Sequence, residues 1–194
     1  MAILLGLLAP LQMFNDIVLR IGRAIGVVAI GLMVLAILLQ VFFRYALGNA
    51  QPWPEEAARF LMLWMTGLMA PSAYRRGGFV SIDMAVEALP RRVAALLSLF
   101  LLGLAMLVLI TGIDMGHSHV KSGWLFASSS LYVPLELIGM TGFKLKLAWM
   151  YLSLYVGLIL LAIVNVELIL RAVVSLLGGE DRLRPMRETD LAVE

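Results

Sequence analysis

The residues most suggestive of a metal or haem site are Asp114, His117 and His119, which lie close together just after an apolar run. Two histidines separated by one residue point about 200° apart on a helix, so they cannot converge on one ion as an i, i+4 pair would, although a loop would permit it. Haem held between membrane helices needs histidines inside those helices. We therefore predict interfacial loop residues here, with no metal and no cofactor bound.

Composition excludes several other kinds of chemistry. The 194-residue chain contains no Cys, which rules out thiolate catalysis, iron–sulfur clusters, disulfides and Cys-based zinc sites. No nucleophile stands in a recognisable arrangement with a general base, so we do not expect an enzyme. The formal net charge of +2 is too small to indicate a nucleic-acid partner.

The elements that carry these residues are long apolar runs. Hydrophobic residues make up 62% of the chain and charged residues 14%, which is typical of a polytopic membrane protein. Backbone groups must be paired internally in lipid, and the runs lack the alternation of barrel strands. We predict an all-α fold with four transmembrane helices plus short interfacial amphipathic helices. The apolar windows are 24–43, 60–74, 93–113 and 147–166.

The windows fall within a single integral membrane domain, residues 1–177, followed by a charged tail, 178–194, that is predicted to be disordered and cytoplasmic. With their polar ends included, the spans extend over about 24–43, 56–75, 93–115 and 145–170.

The N-terminal apolar segment lacks the basic region of a secretory signal, so cleavage is not expected. Leu11, Phe14, Val18 and Ile21 recur at three- and four-residue spacing, which predicts a helix lying in the membrane interface before the first span. An uncleaved anchor is the alternative.

Basic residues are distributed unequally between the two sides of the membrane. Ten of the 15 Lys and Arg residues fall on the side that holds both termini, and five fall on the other. The positive-inside rule therefore places both termini in the cytoplasm. No charge occurs near the centre of any span, where ion pathways and proton relays usually need one, so the chain is not expected to carry a substrate alone.

The turn between the first two spans carries Trp53 and the acidic pair Glu55 and Glu56. Acids in a first helical turn interact favourably with the helix dipole, and Glu55 can pair with Arg59 one turn later. One interpretation is a well-capped helix with Trp53 at the headgroup level. The other is a charged rim, made of Arg44, Glu55, Glu56 and Arg59, that contacts a partner, because desolvated charges need partners.

The second span closes with Arg75 and Arg76, which complement the negative end of the helix dipole. The glycines after them permit a left-handed turn. Apolar residues then share one helical face while acids share another, which predicts a short amphipathic helix along the membrane surface, either with a partner or without one. A plain connecting loop would not need that segregation. The apolar positions are Ile82, Val86, Leu89 and Val93, and the acids are Asp83 and Glu87.

The remaining polar and small residues are interpreted as structural. Trp124 and Tyr132, in the Ser- and Gly-rich segment 122–142, are predicted to anchor at the membrane interface. Glu167 and Arg171 form an i, i+4 pair that is expected to be structural. Small residues in the first two spans favour close helix packing, either with a partner or within the chain. They are Gly22, Gly26, Ala29, Gly67 and Ala70.

Four motifs in order resemble the small membrane subunit of a tripartite ATP-independent periplasmic (TRAP) transporter, the DctQ-like family. They are Phe42-Phe43-Arg44-Tyr45, Trp53-Pro54-Glu55-Glu56 with Arg59, Arg75-Arg76-Gly77-Gly78, and Val80-Ser81-Ile82-Asp83. Phe79 departs from the pattern, since the family often has His there. The resemblance makes these residues candidates for a partner interface: Arg44, Tyr45, Trp53, Glu55, Glu56, Arg59, Arg75, Arg76, Gly77, Gly78 and Asp83.

The resemblance implies a bacterial inner-membrane uptake system. In it, a DctP-like periplasmic binding protein captures an organic acid such as a dicarboxylate or sugar acid. A DctM-like large subunit moves that acid with sodium, and the small subunit acts as a stator for the large one. The alternative is a membrane anchor for a redox complex, which would need buried His or Met ligands, and the spans contain no His.

Overall fold

A computed structural model describes residues 2–49, 51–76, 90–133 and 143–178. Four helices and two strands occupy these ranges. They are α1 (Ala2–Tyr45), α2 (Trp53–Arg75), α3 (Arg91–Gly123), β1 (Ala127–Val133), β2 (Phe143–Lys146) and α4 (Ala148–Leu176). The predicted surface helix around Ile82–Leu89, with Asp83 and Glu87, lies outside the described residues, as does the tail beyond 178.

Three of the described helices are long and apolar enough to cross a membrane, over Gly6–Tyr45, Val93–Gly123 and Ala148–Leu176. The all-α polytopic class is therefore confirmed. Helix α2 has 23 residues, which gives a length of about 35 Å at 1.5 Å per residue. It is less apolar than the others because it carries Arg59 and two prolines, and it packs between α1 and α4.

Helix α1 is continuous over 44 residues, so the N-terminal segment is not the separate interfacial helix that its spacing predicts. The face chosen from the sequence also differs from the buried one, since Phe14 and Ile21 are exposed. Burial follows a neighbouring stripe whose members recur every three or four residues, because this stripe faces the rest of the bundle. The stripe consists of Leu8, Gln12, Asn15, Leu19, Gly22, Gly26 and Ala29.

Small residues bring the helices of the chain close to one another. A Cβ added to Gly67 of α2 would overlap the Ser153 carbonyl of α4, and one on Gly157 would lie 2.8 Å from the Gly67 backbone. A Cβ on Gly22 would lie 3.1 Å from the Leu68 carbonyl oxygen. These glycines therefore serve packing within the chain, which was one of the two interpretations of their pattern.

A two-stranded antiparallel sheet follows α3, where the sequence predicts an interfacial loop. Strands β1 and β2 pair Tyr132 with Lys144 and Ala127 with Lys146, with an irregularity in register between them. The sheet is a small addition to the helical class. It forms at the end of the bundle where α2 begins, and that end is called the hairpin end below. The opposite end, where α2 finishes, is called the basic end.

Candidate functional site

At the basic end, α4 presents a carboxylate with no exposed surface, that of Glu167. One of its oxygens accepts a hydrogen bond of 2.6 Å from the Asn15 amide. The other accepts bonds from Arg75 at 2.8 Å and from Arg171 at 3.2 Å. A buried carboxylate is tolerated only when it is paired and its oxygens are hydrogen-bonded, and both conditions hold here.

Arg75 joins this carboxylate to a second acid. It is the last residue of α2, and its side chain is 10% exposed. Through its other terminal nitrogen it donates to Asp16 of α1, which is partly exposed. Two acids and two arginines thus balance in charge, and we call Asn15, Asp16, Arg75, Glu167 and Arg171 the buried ionic cluster.

A second layer of hydrogen bonds extends from the buried ionic cluster to α3. The Tyr74 hydroxyl donates to the Asn165 side-chain oxygen at 2.6 Å, and the Asn165 amide donates to the Leu102 carbonyl at 3.0 Å. Arg23 of α1 donates to the Ser72 hydroxyl of α2 at 2.8 Å. Polar bonds therefore connect all four described helices at this end, where hydrocarbon contacts alone would not fix their relative rotation.

The sequence contains only part of the signal for the buried ionic cluster. The i, i+4 spacing predicts the Glu167–Arg171 pair, and the structure contains it. Asn15 and Asp16 interrupt an apolar run, which indicates that they need polar partners but does not indicate which residues those partners are. Arg75 is a predicted interface candidate, and its side chain points into the bundle, whereas Arg76 is exposed.

At the hairpin end, Glu56 holds the hairpin against α2. Its carboxylate accepts hydrogen bonds from the Ser128 hydroxyl at 2.6 Å and from the Ser130 amide at 2.9 Å. The Ser130 hydroxyl also donates to it, and the Ser129 hydroxyl lies 3.4 Å away. A charged acceptor bound by several donors is a strong local tether. Glu56 is thus occupied inside the chain.

The other members of the predicted rim lie apart from this tether. Glu55 and Arg59 form an exposed pair at 3.0 Å on the surface of α2. The Arg44 guanidinium lies 5.9 Å from the centre of the Tyr45 ring, and no described contact joins it to the acids. Trp53, at the start of α2, is 38% exposed. The candidates Gly77, Gly78 and Asp83 lie outside the described residues.

His117 and His119 lie within α3, which continues to Gly123, so the prediction of a loop is wrong for them. Their rings lie 5.8 Å and 6.0 Å from those of Tyr155 and Tyr151 on α4. They help to pack α3 against α4. Within the described parts of the chain, no group of three His, Asp or Glu residues is arranged to hold a metal ion.

Comparison with known proteins agrees with this architecture. The family model of the DctQ component of tripartite ATP-independent periplasmic transporters matches residues 33–175. The chain is also similar to the sialic acid TRAP transporter small permease protein SiaQ of Vibrio cholerae serotype O1. The two are 29% identical over 170 residues, which cover 87% of this chain and 90% of that protein. The matched region begins within α1 and ends at residue 175 near the end of α4, so it includes α2, α3 and the Glu167–Arg171 pair. The chain therefore belongs to the DctQ family of small TRAP transporter membrane subunits.

Proposed function

We propose that the chain is a static scaffold for the large membrane subunit of its transporter during sodium-coupled uptake of an organic acid. The observation that carries the proposal is which partners the buried charges have. Among the described residues, the acids of the buried ionic cluster are bonded to arginines of the same chain. A transport pathway instead needs polar groups that can exchange their partners for substrate or ions.

Internal rigidity supports the same role. The glycine contacts between α2 and α4 leave no room for sliding, and the polar bonds at the basic end fix the rotation of each helix. A subunit with one well-defined packing can serve as a fixed wall against which another subunit moves. The moving part, and with it the substrate and sodium sites, then belongs to the large subunit.

Exposed surfaces are available for both partners. Large apolar side chains such as Val28 and Leu35 on α1 and Phe100 and Leu107 on α3 are exposed along the outer faces of the bundle. Such faces suit lipid and the large subunit. The exposed charges at the hairpin end, among them Glu55 and Arg59, suit a periplasmic binding protein.

The relative and the family resemblance support one class of substrate. The relative's name specifies sialic acid, which is a sugar acid carrying a carboxylate. We propose a carboxylate substrate of the dicarboxylate or sugar-acid class for this transporter. We also propose that both termini lie in the cytoplasm, because the basic end holds Arg20, Arg23, Arg75 and Arg76.

The experiment uses vesicles that contain the small subunit, the large subunit and the binding protein. The chain lacks Cys, so His119→Cys with Tyr151→Cys supplies a unique thiol pair between α3 and α4 for a short bifunctional cross-linker. We expect sodium-driven uptake of a labelled sugar acid or dicarboxylate at the same rate before and after cross-linking. Vesicles that lack the small subunit should be inactive.

Two controls complete this design. The double variant without cross-linker reports the effect of the substitutions themselves, and a potassium gradient replaces sodium to test coupling. If cross-linking within the small subunit stops uptake, the subunit must flex during transport and the scaffold role is wrong. Uptake that does not depend on sodium would refute the coupling alone.

A further inference from the structure

An open groove of about 340 Å³ lies between α1 and α2 on the side of the bundle. Its floor follows one face of α2, from Met65 through Met69 and Ala73 to Arg76. These residues recur every three or four positions, so the groove extends for about 16 Å along the helix at 1.5 Å per residue. The opposite wall at the basic end is Arg23 of α1.

Two of the residues that line the groove, Ala70 and Ala73, are small. Gly22 and Gly26 bring α1 against Leu68 and Met69, whereas Ala70, on the next position of α2, lines the groove and leaves space beside that contact. Ala70 is one of the small residues singled out by sequence, and its role differs from that of the glycines. The resulting channel is mostly apolar.

Charge is confined to one end of the groove. The Ser72 hydroxyl accepts a bond from Arg23, which holds that guanidinium at the mouth of the groove, and Arg76 lies exposed beside it. Arg20 and Arg75 are near enough to repel the charge of Arg23, and Asp16 attracts it. No acid is among the described residues that line the groove. Its mouth is therefore positive and its floor apolar.

We propose that this groove binds an anionic phospholipid, with the phosphate between Arg23 and Arg76 and one acyl chain along Met65, Met69 and Ala70. Lipid acyl chains surround a pair of helices in a membrane, so an apolar channel on the side of that pair fills with a hydrocarbon chain. Arginines bind phosphate through paired N–H donors and attract anionic headgroups at the membrane surface. A ligand that is apolar along its length and anionic at one end matches both parts.

The test uses vesicles that contain the assembled transporter and a phosphatidylglycerol probe with a photoreactive group in its acyl chain. We expect labelling of the α2 peptide that contains Met65 and Met69. Arg76→Gln should reduce this labelling about fivefold, because one basic residue near a membrane surface contributes roughly that factor to anionic-lipid binding. Ala70→Phe, which fills the channel, should abolish it.

The controls separate the charge at the groove from charge in general. Lys121→Gln removes an exposed cation at the hairpin end and should leave labelling unchanged. A phosphatidylcholine probe with the same acyl chain should label several-fold less, and inorganic phosphate should not compete. Equal labelling by the two lipids, or wild-type labelling in both groove variants, would overturn the proposal. The proposal would also be overturned if Ala70→Phe no longer bound the large subunit but was still labelled by the lipid probe. The groove would then be a binding site for that subunit.

Discussion

Arg75, the last residue of α2, donates a 2.8 Å hydrogen bond to the fully buried carboxylate of Glu167, 92 residues further along the chain. This bond ties the end of the second helix to the last helix. Asp16 on the opposite side of Arg75 extends the connection to the first helix. The relative positions of three helices thus depend on one guanidinium.

We expect Glu167→Gln to destabilise the subunit strongly. Gln keeps the shape of the side chain but leaves Arg75 and Arg171 short of one negative charge, and breaking a buried ion pair costs on the order of 3 kcal/mol. The midpoint of thermal unfolding of the detergent-solubilised transporter measures the effect. Glu55→Gln is the matched control, since its exposed pair with Arg59 is worth under about 1 kcal/mol. Equal shifts for the two variants would contradict the prediction.

Glu56→Gln should loosen the hairpin without affecting the basic end. Hydrogen bonds to a charged group contribute about 1.5–3 kcal/mol each, so the Ser130 amide should exchange its hydrogen at least tenfold faster. Hydrogen–deuterium exchange with mass spectrometry of the β1 peptide detects this change. Glu55→Gln, which removes the neighbouring charge, should leave the exchange of that peptide as in the wild type. Unchanged exchange in Glu56→Gln would show that the serines do not depend on this carboxylate.

Gly67→Ala should disrupt the contact between α2 and α4, because the added Cβ meets the backbone of Ser153 and cannot be relieved by a side-chain rotation. We expect a loss of about 1–3 kcal/mol, read as a lower unfolding midpoint. Gly103→Ala supplies the control. Its Cβ would meet nothing within 4 Å, and Ala is favoured over Gly in a helix by roughly 0.5–1 kcal/mol. Similar midpoints for both variants would count against close packing at Gly67.

Arg44→Ala should lower uptake at limiting concentrations of the binding protein. Its charge is exposed at the hairpin end, where we propose that it contributes to docking more than to folding. Raising the concentration of binding protein should restore the rate, and the free energy of unfolding should stay within about 0.5 kcal/mol of the wild type. Wild-type uptake by Arg44→Ala at every concentration of binding protein would mean that Arg44 is not part of a docking surface. Glu55→Gln tests the exposed acid in the same assay, because Glu56 is bonded to the hairpin.

Reporter fusions should place the two ends of the bundle on opposite sides of the membrane. A reporter that works only in the cytoplasm should be active when it is fused after Glu194. A reporter that works only in the periplasm should be active when it is inserted at Ser129. The reason is the excess of arginine at the basic end. A periplasmic reporter signal at Glu194 would reverse the proposed orientation.

Helices α1, α3 and α4 were predictable from sequence because their apolar runs are long and the lipid environment permits few alternatives. The local pair Glu167–Arg171 was predictable for a similar reason, since its spacing alone places the two side chains together. The bond between Arg75 and Glu167 was not. Spacing along the chain carries no information about which helices become neighbours, so a buried partner 92 residues away leaves no pattern.

Two other features depend on tertiary contacts in the same way. The buried stripe of α1 runs through Gln12 and Asn15. Because these two residues are polar, the sequence pattern favours a different, more apolar face of the helix as the buried one. Strand β1 begins with Ala127-Ser128-Ser129-Ser130, which lacks the alternation that marks a strand. The strand is held by Glu56, a residue from a different part of the chain, whose carboxylate accepts hydrogen bonds from the serines.

The buried ionic cluster has a consequence for biosynthesis. Ribosomes make Asn15 and Asp16 first, Arg75 next, and Glu167 with Arg171 only near the end, so the cluster cannot close until α4 has entered the membrane. Until then Arg75 shares the bilayer edge with Asp16 alone, and Asn15 lacks its acceptor. Completion of the last helix therefore gives the Asn15 amide its acceptor and Arg75 its second acid. Chains truncated before α4 retain those exposed polar groups, which membrane proteases and chaperones can recognise, whereas the finished subunit conceals them.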